Sequence, residues 1–195
     1  MTIPHGYTTL EAMKRYFRAA STDADDDTVI EGLVEAVSRY LDDLTLRTFY
    51  ARAETRLFDL PPGRELRLDD DLLTVTTLTN GDGVEIPVGQ YLLLPANVFP
   101  KYAIKLKASS TYSWQLSASA DWEQVISVAG TWGYVADTPK DIEEACQQIV
   151  LNAYKRRFGD HVEAVATVTA AGVVITPKDI GPFSASVIAR YKKRL

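Results

Sequence analysis

The sequence has one cysteine and two histidines in 195 residues. A lone thiol cannot close an intrachain disulfide, and one cysteine with two scattered histidines does not complete a zinc site. His5 and His161 lie in stretches without metal-ligand spacing, so no metal or cofactor is expected. Neither a glycine-rich phosphate loop nor a Gly-x-Ser-x-Gly elbow is present. No charge-free apolar run approaches the roughly 20 residues of a membrane span. The N-terminus MTIPHGYTTLEAMKRYF has no signal-peptide core, which points to a protein that is cytosolic where it is made, with no membrane partner. A surplus of positive charge is missing too. The formal net charge is −5. Residues 1–50 carry five Lys/Arg against nine Asp/Glu, residues 51–135 seven against ten, and residues 136–195 nine against seven. Tight duplex binding by counterion release needs a basic face that this distribution does not provide.

What is present suffices for a packed protein. At 46% hydrophobic residues, a chain of this length buries about two-thirds to three-quarters of its unfolded surface and folds without metal or disulfide, as one or two domains. The segment LEAMKRYFRAA reads as a short helix with Leu10, Met13, Phe17 and Ala20 on one side. Asp23, Asp25, Asp26 and Asp27 invite a calcium reading, but an EF-hand loop from Asp23 needs glycine where Thr28 stands and glutamate where Val34 stands. They read instead as acidic residues at the start of a second helix, roughly Thr28 to Thr48, with Val29, Leu33, Val37 or Ala36, Tyr40, Leu41 and Leu44 in register. Between Ala51 and Ala129 the period changes from 3.6 to 2. Candidate strands are Asp71–Thr79, Val84–Val88, Gln90–Leu94, Ala103–Lys107, Thr111–Leu116 and Gln124–Ala129, with a tight turn at Asn80-Gly81-Asp82-Gly83. Six short strands suggest a small sandwich or barrel. The fold class expected is α+β: a small helical bundle from residues 1–50 and 136–195, with a mainly antiparallel β domain, residues 51–135, inserted into it.

The stretch Val125 to Gly159 joins the two patterns. A β-branched strand turns through Gly130-Thr131-Trp132-Gly133-Tyr134, and a helix starts at Thr138-Pro139-Lys140-Asp141. Thr138 suits an N-cap, Pro139 the first helical position, and Asp141 the short-armed half of a capping box. Ile142, Ala145, Cys146, Ile149, Val150, Ala153 and Tyr154 make one apolar stripe. Lys155, Arg156 and Arg157 occupy the last turn before Gly159. This combination of a Gly-Thr-Trp-Gly-Tyr turn, a Thr-Pro-Lys-Asp-Ile helix start, an alanine-rich middle and a Tyr-Lys-Arg-Arg end resembles the head-tail connector (adaptor, head completion) proteins of tailed bacteriophages. The resemblance is strongest here and weaker in the N-terminal helices. It implies a structural virion protein at the head-tail interface, made in the host cytoplasm. It further implies self-assembly into a ring, usually a dodecamer, that binds the portal protein and a downstream head-closure or tail protein. DNA would pass through its channel without sequence-specific binding.

The residues themselves leave a second class open. Trp114, Trp122 and Trp132 with Tyr91, Tyr102, Tyr112 and Tyr134 can form a sugar-stacking platform for a carbohydrate-binding or tail-tip module, or a nucleic-acid platform with Lys101, Lys105 and Lys107. Such aromatics more often fill a small β core and its lid. Asp69, Asp70 and Asp71 can bind a cation or act as acid and base, although three adjacent carboxylates more often mark a solvated turn. Cys146 falls on the apolar stripe and reads as a small buried hydrophobe. No catalytic residue is expected. Gly130, Trp132, Gly133 and Tyr134 are expected to form a hinge between the β domain and the helical core.

After Gly159, Val162 to Ile175 reads as a β-hairpin or extended loop turning near Ala170-Ala171-Gly172. Thr176 to Ile180 repeats the residues at 138 to 142, Gly181-Pro182 interrupts, and a terminal helix follows. Val187, Ile188, Tyr191 and Leu195 lie along one side of that helix, beside the basic residues Arg190, Lys192, Lys193 and Arg194. These eight are the candidate portal-binding residues. The alternative is a helix that closes the bundle, its cations favouring its own C-terminus.

Overall fold

The structure is a computed structural model and describes residues 5–17, 24–158, 167–169, 172–174 and 180–193. It divides into two compact units, one formed by Met1–Leu46 with Thr138–Leu195 and the other by Arg47–Asp137.

The first unit is helical: α1 (Leu10–Phe17), α2 (Ala24–Thr45), α3 (Lys140–Phe158) and α4 (Pro182–Tyr191). Asp25, Asp26 and Asp27 form the first turn of α2, where Lys14 of α1 pairs with Asp27 at 2.6 Å. Asp23 lies outside the described residues. The buried side of α2 is Ile30, Val34, Val37, Ser38, Leu41 and Thr45, so the stripe is rotated from the expected Val29, Leu33, Tyr40 and Leu44. Two hydroxyls make this possible. Ser38 donates to the Val34 carbonyl and Thr45 to the Leu41 carbonyl, both at 2.7 Å, so each buried polar group is satisfied within its own helix. α3 contributes Ile142, Ala145, Cys146, Ile149 and Val150 to this core, as its stripe predicts. Its Gln147, also buried, donates to the Thr8 hydroxyl at 2.9 Å. α4 opens with Gly181 as N-cap and Pro182 in the first turn. A separate hairpin, β6 (Thr167–Thr169) and β7 (Gly172–Val174), lies where the sequence reading placed one.

The second unit is a single five-stranded antiparallel sheet rather than a sandwich or closed barrel. Its strands are β1 (Arg52–Phe58), β2 (Glu65–Thr79), β3 (Tyr91–Leu94), β4 (Lys101–Leu106) and β5 (Ile126–Trp132), in the order β1-β5-β2-β4-β3. β2 is the backbone of the sheet. Its first residues pair with β4 (Leu66 with Ile104) and its last with β5 (Leu78 with Val128), with register shifts between. Leu66, Leu72, Leu78, Ile104, Leu106, Ile126, Val128 and Trp132 share one core, so both halves of the sheet bury a common face. In β5 the alternation is strict: Ile126, Val128, Gly130 and Trp132 are buried and the residues between them are not.

Two expected strands are absent for physical reasons. Asn80, itself buried, donates to the Ser113 carbonyl and accepts the Gln115 N–H, so a side chain rather than a ladder holds residues 113–115. Val84–Val88 makes only a bridge at Glu85, and Pro87 ends it. The turn between them is as expected. Gly83 has φ +80°, and its N–H donates to the Asn80 carbonyl at 2.9 Å.

Candidate functional site

The acidic run of β2 is neither a cation site nor a solvated turn. It falls in the register shift between Arg67 and Leu72, where the ladder to β4 is interrupted. Three arginines from upstream converge on it. Arg47 pairs with Asp71 at 2.6 Å, Arg52 with Asp70 at 2.7 Å, and Arg56 with Asp70 and Asp69 at 3.0 Å and Glu54 at 3.2 Å. Asp71 is 3% exposed, so its charge is compensated inside the unit. Burial works against the charged form of Arg56, yet its hydrogen bond to Asp69 and the Asp69 charge, with the charge of Asp70 and its hydrogen bond to Glu54, outweigh it and raise the pKa. Among the described residues no group of His, Cys, Asp and Glu is arranged to hold a metal.

Beside this cluster the Gly-Thr-Trp-Gly-Tyr turn works as a clasp within the β unit. Trp132 is fully buried, stacks on Phe58, lies under the Arg56 guanidinium and donates its indole N–H to the Glu54 carbonyl at 3.0 Å. Gly133 donates to the Asp71 carbonyl and Tyr134 to that of Thr48, both at 2.8 Å. The Tyr134 ring meets Phe49 edge-on and carries Arg47 at 4.7 Å. Both glycines are required by close backbone approach: a Cβ would lie 2.2 Å from the Thr74 carbonyl oxygen at Gly130 and 2.2 Å from that of Tyr50 at Gly133. Gly133 also has φ +137°. The chain entering the unit at 48–50 is thereby fastened to the chain leaving it at 132–134.

The aromatic platform does not assemble. Tyr91 and Trp132 are core residues, and Tyr112 and Trp114 pack against that core, leaving Trp122 and Tyr102 exposed. Lys101 is buried as well. Its ammonium donates to the carbonyls of Pro95 (2.6 Å), Val98 (2.9 Å) and Ala96 (3.1 Å), which removes it from any nucleic-acid face.

At the C-terminus, α4 is built into the helical unit. Val187 and Ser184 are buried, and Ser184 donates to Gln148 at 3.0 Å. Asp141 takes the Ile142 N–H and the Tyr191 hydroxyl, each at 3.0 Å, and pairs with Arg190. The Lys193 N–H reaches the Thr45 carbonyl at 2.8 Å. Val187 is therefore not available to a portal. Its place is the bundle core, the alternative that the sequence left open for this helix. Ile188 is half-buried and Lys192 exposed; Arg194 and Leu195 lie outside the described residues. His5 is exposed, and His161 is outside the described residues. Cys146 is fully buried in the same bundle, and burial pushes its thiol up to about 12, so the group is inert near neutral pH.

With these features in place, the whole chain aligns with two solved structures. One is a chain of the neck of a native GTA particle computed with C12 symmetry, with a TM-score of 0.60 and 16% identity, covering 100% of this chain and 93% of that one. The other is from the neck of an empty GTA particle computed with C6 symmetry, with a TM-score of 0.58 and 17% identity, covering 100% and 94%. The chain has the fold of a GTA neck chain. No protein-family model and no curated protein matches it. Because coverage is nearly complete in both directions, the β unit belongs to the shared α+β fold.

Proposed function

We propose that the protein is a structural neck component of a phage-like particle: an adaptor whose copies form a ring that binds the portal and extends the DNA channel toward the tail. The observation that carries this reading is the end-to-end match with two chains from particle necks computed with C12 and C6 symmetry. The Gly-Thr-Trp-Gly-Tyr turn and the capped helix after it, from which the connector resemblance came, support it independently. A role without catalysis fits the side chains described above: Asp69, Asp70 and Asp71 are committed to arginines, and the Cys146 thiol is buried. For the portal contact, the proposed surface is the exposed part of the C-terminal segment, with Phe183 in the first turn of α4 and Lys192 just past its end in place of Val187.

Electron microscopy and mass photometry of the protein, alone and with its portal, test the reading. A species about twelve times the 21.6 kDa chain supports it. A protein that stays monomeric in both settings and binds glycans overturns it in favour of the carbohydrate-binding module, for which exposed Trp122 and Tyr102 are the remaining aromatic contacts.

A further inference from the structure

The sheet of the β unit has two open edges, and they are not equivalent. β1 carries Arg52, Glu54 and Arg56, the charged pattern by which edge strands discourage pairing. β3, Tyr91-Leu92-Leu93-Leu94, has no charge and no register shift against β4. Among the described residues no strand pairs with its outer side. Leu92 on this strand is 48% exposed. The turn that joins β3 to β4 adds Val98 at 58% and Phe99 at 60%, and Tyr102 follows at 54%. The Lys101 ammonium fastens three carbonyls of that turn, so these apolar side chains are held outward on a fixed loop rather than a loose one.

The same chain contains a strand pair without a sheet. β6 and β7 pair with each other, Val168 opposite Val173, and among the described residues with no other strand. An isolated two-stranded hairpin is marginal in water and gains stability from a third strand. The surrounding segment 162–175 has one charged residue, Glu163, and matches β3 in chemistry rather than the charged β1.

We propose that the β6–β7 hairpin of one copy adds to the β3 edge of a second copy, extending its sheet by backbone hydrogen bonds beside Leu92 and Phe99. Donor and acceptor are different parts of the chain, so the contact can run head to tail from copy to copy, and it makes a ring where the rotation between neighbours closes. The inference deepens the ring reading by naming the contact that joins neighbours, and a ring held by other surfaces would leave it wrong.

Full-length protein carrying Leu92→Cys is combined with Val173→Cys or, separately, with Val174→Cys. Neighbours on a strand face opposite sides, so one of the two shares a face with Leu92. Oxidation of one pair is expected to give a ladder of covalent oligomers on a non-reducing gel, while the single-cysteine variants stop at dimers; Cys146 is buried and does not compete. Leu92→Lys, at an exposed position, is expected to keep the wild-type circular dichroism and melting temperature and to lose at least tenfold in ring population by mass photometry. If Leu92→Lys unfolds, the ladder alone decides. Rings that persist in folded Leu92→Lys, or absence of a ladder from both pairs, overturn this contact and leave the ring reading standing. A wild-type protein that is monomeric with and without its portal, and gives no ladder, overturns both.

Discussion

Single side chains in this protein differ sharply in what they hold, and the acidic run of β2 is the clearest case. Asp69 and Asp71 are two residues apart, yet the Asp69 side chain is 65% exposed and that of Asp71 is 4%. Removing one partner of a buried pair strands the other, at about 3–5 kcal/mol, whereas an exposed pair is worth about 0–1 kcal/mol. Asp71→Asn is therefore expected to lower the stability of the β unit by about 3 kcal/mol and Asp69→Asn by less than about 1, a contrast that urea unfolding followed by Trp fluorescence checks. Equal effects would mean that the cluster is not organised by burial. Cys146 gives a second prediction, with a defined sign. Its thiol titrates near 9.0 in an open chain and near 12 in the fold, because burial disfavours the thiolate. The folded state thus keeps a proton that the unfolded state releases, so this contribution is fully present below about pH 9 and is lost as pH rises toward 12. Tyr16 and Tyr91, both raised chiefly by burial, act in the same direction. Unfolding free energy is expected to fall across that window, and Cys146→Ala to make the fall shallower by up to about 1.4 kcal/mol per pH unit. Parallel curves for the two proteins would place the titration elsewhere.

At the scale of elements, the question is what α4 does for its own unit. It contributes buried Val187 and Ser184, the Tyr191 bond to Asp141 and the Lys193 bond to the end of α2. Truncation after Ser184 removes Val187 and both of these bonds. It is expected to destabilise the helical unit by about 3 kcal/mol, from a lost buried side chain and two lost hydrogen bonds. Asp141→Asn keeps an acceptor for Tyr191 and loses only the partly exposed pair with Arg190, so it is expected to cost less than about 1 kcal/mol. Circular dichroism during urea unfolding separates the two; a truncated chain as stable as the intact one would show that α4 is not part of the bundle. For the same reason Lys192→Glu, on the exposed side, probes portal contact more cleanly than truncation. How far these elements could be read from sequence depended on whether their signals were local. The α3 stripe and the Gly181-Pro182 start of α4 are written in neighbouring residues and were legible. The side of α2 that is buried was not, because Ser38 and Thr45 count as polar in any periodic pattern and become buriable only through their own helix carbonyls. β1 was missed because Arg52, Glu54 and Arg56 hide an edge strand from a hydrophobic alternation. The fate of Asp69, Asp70 and Asp71 was illegible because their arginines lie 13 to 24 residues upstream and reach them only once β1 and β2 are folded.

For the whole molecule, the distribution of charge constrains how it meets nucleic acid. The β unit, Arg47–Asp137, carries eight Lys/Arg against eleven Asp/Glu, and the rest of the chain thirteen against fifteen. Many cations already have partners: Lys14 with Asp27, Arg47, Arg52 and Arg56 with the β2 carboxylates, Lys140 with Glu143 and Arg190 with Asp141. A pairing that neutralises an arginine within the protein also removes it from the set that can displace counterions from a duplex. Affinity for DNA is set by the phosphates neutralised together, and each contributes about one unit to the slope of log K against log salt. Neither unit offers a net-positive surface of its own, so the free protein is expected to bind duplex DNA weakly, with no measurable retention at physiological salt and a shallow salt dependence below it. Such a surface suits a ring through which DNA moves, since tight phosphate contacts would resist its passage. Fluorescence anisotropy of a labelled duplex, titrated with the protein at several salt concentrations, makes the measurement. Submicromolar binding at physiological salt with a slope of about six or more would require a concentrated basic face, and would count against the passive channel proposed above.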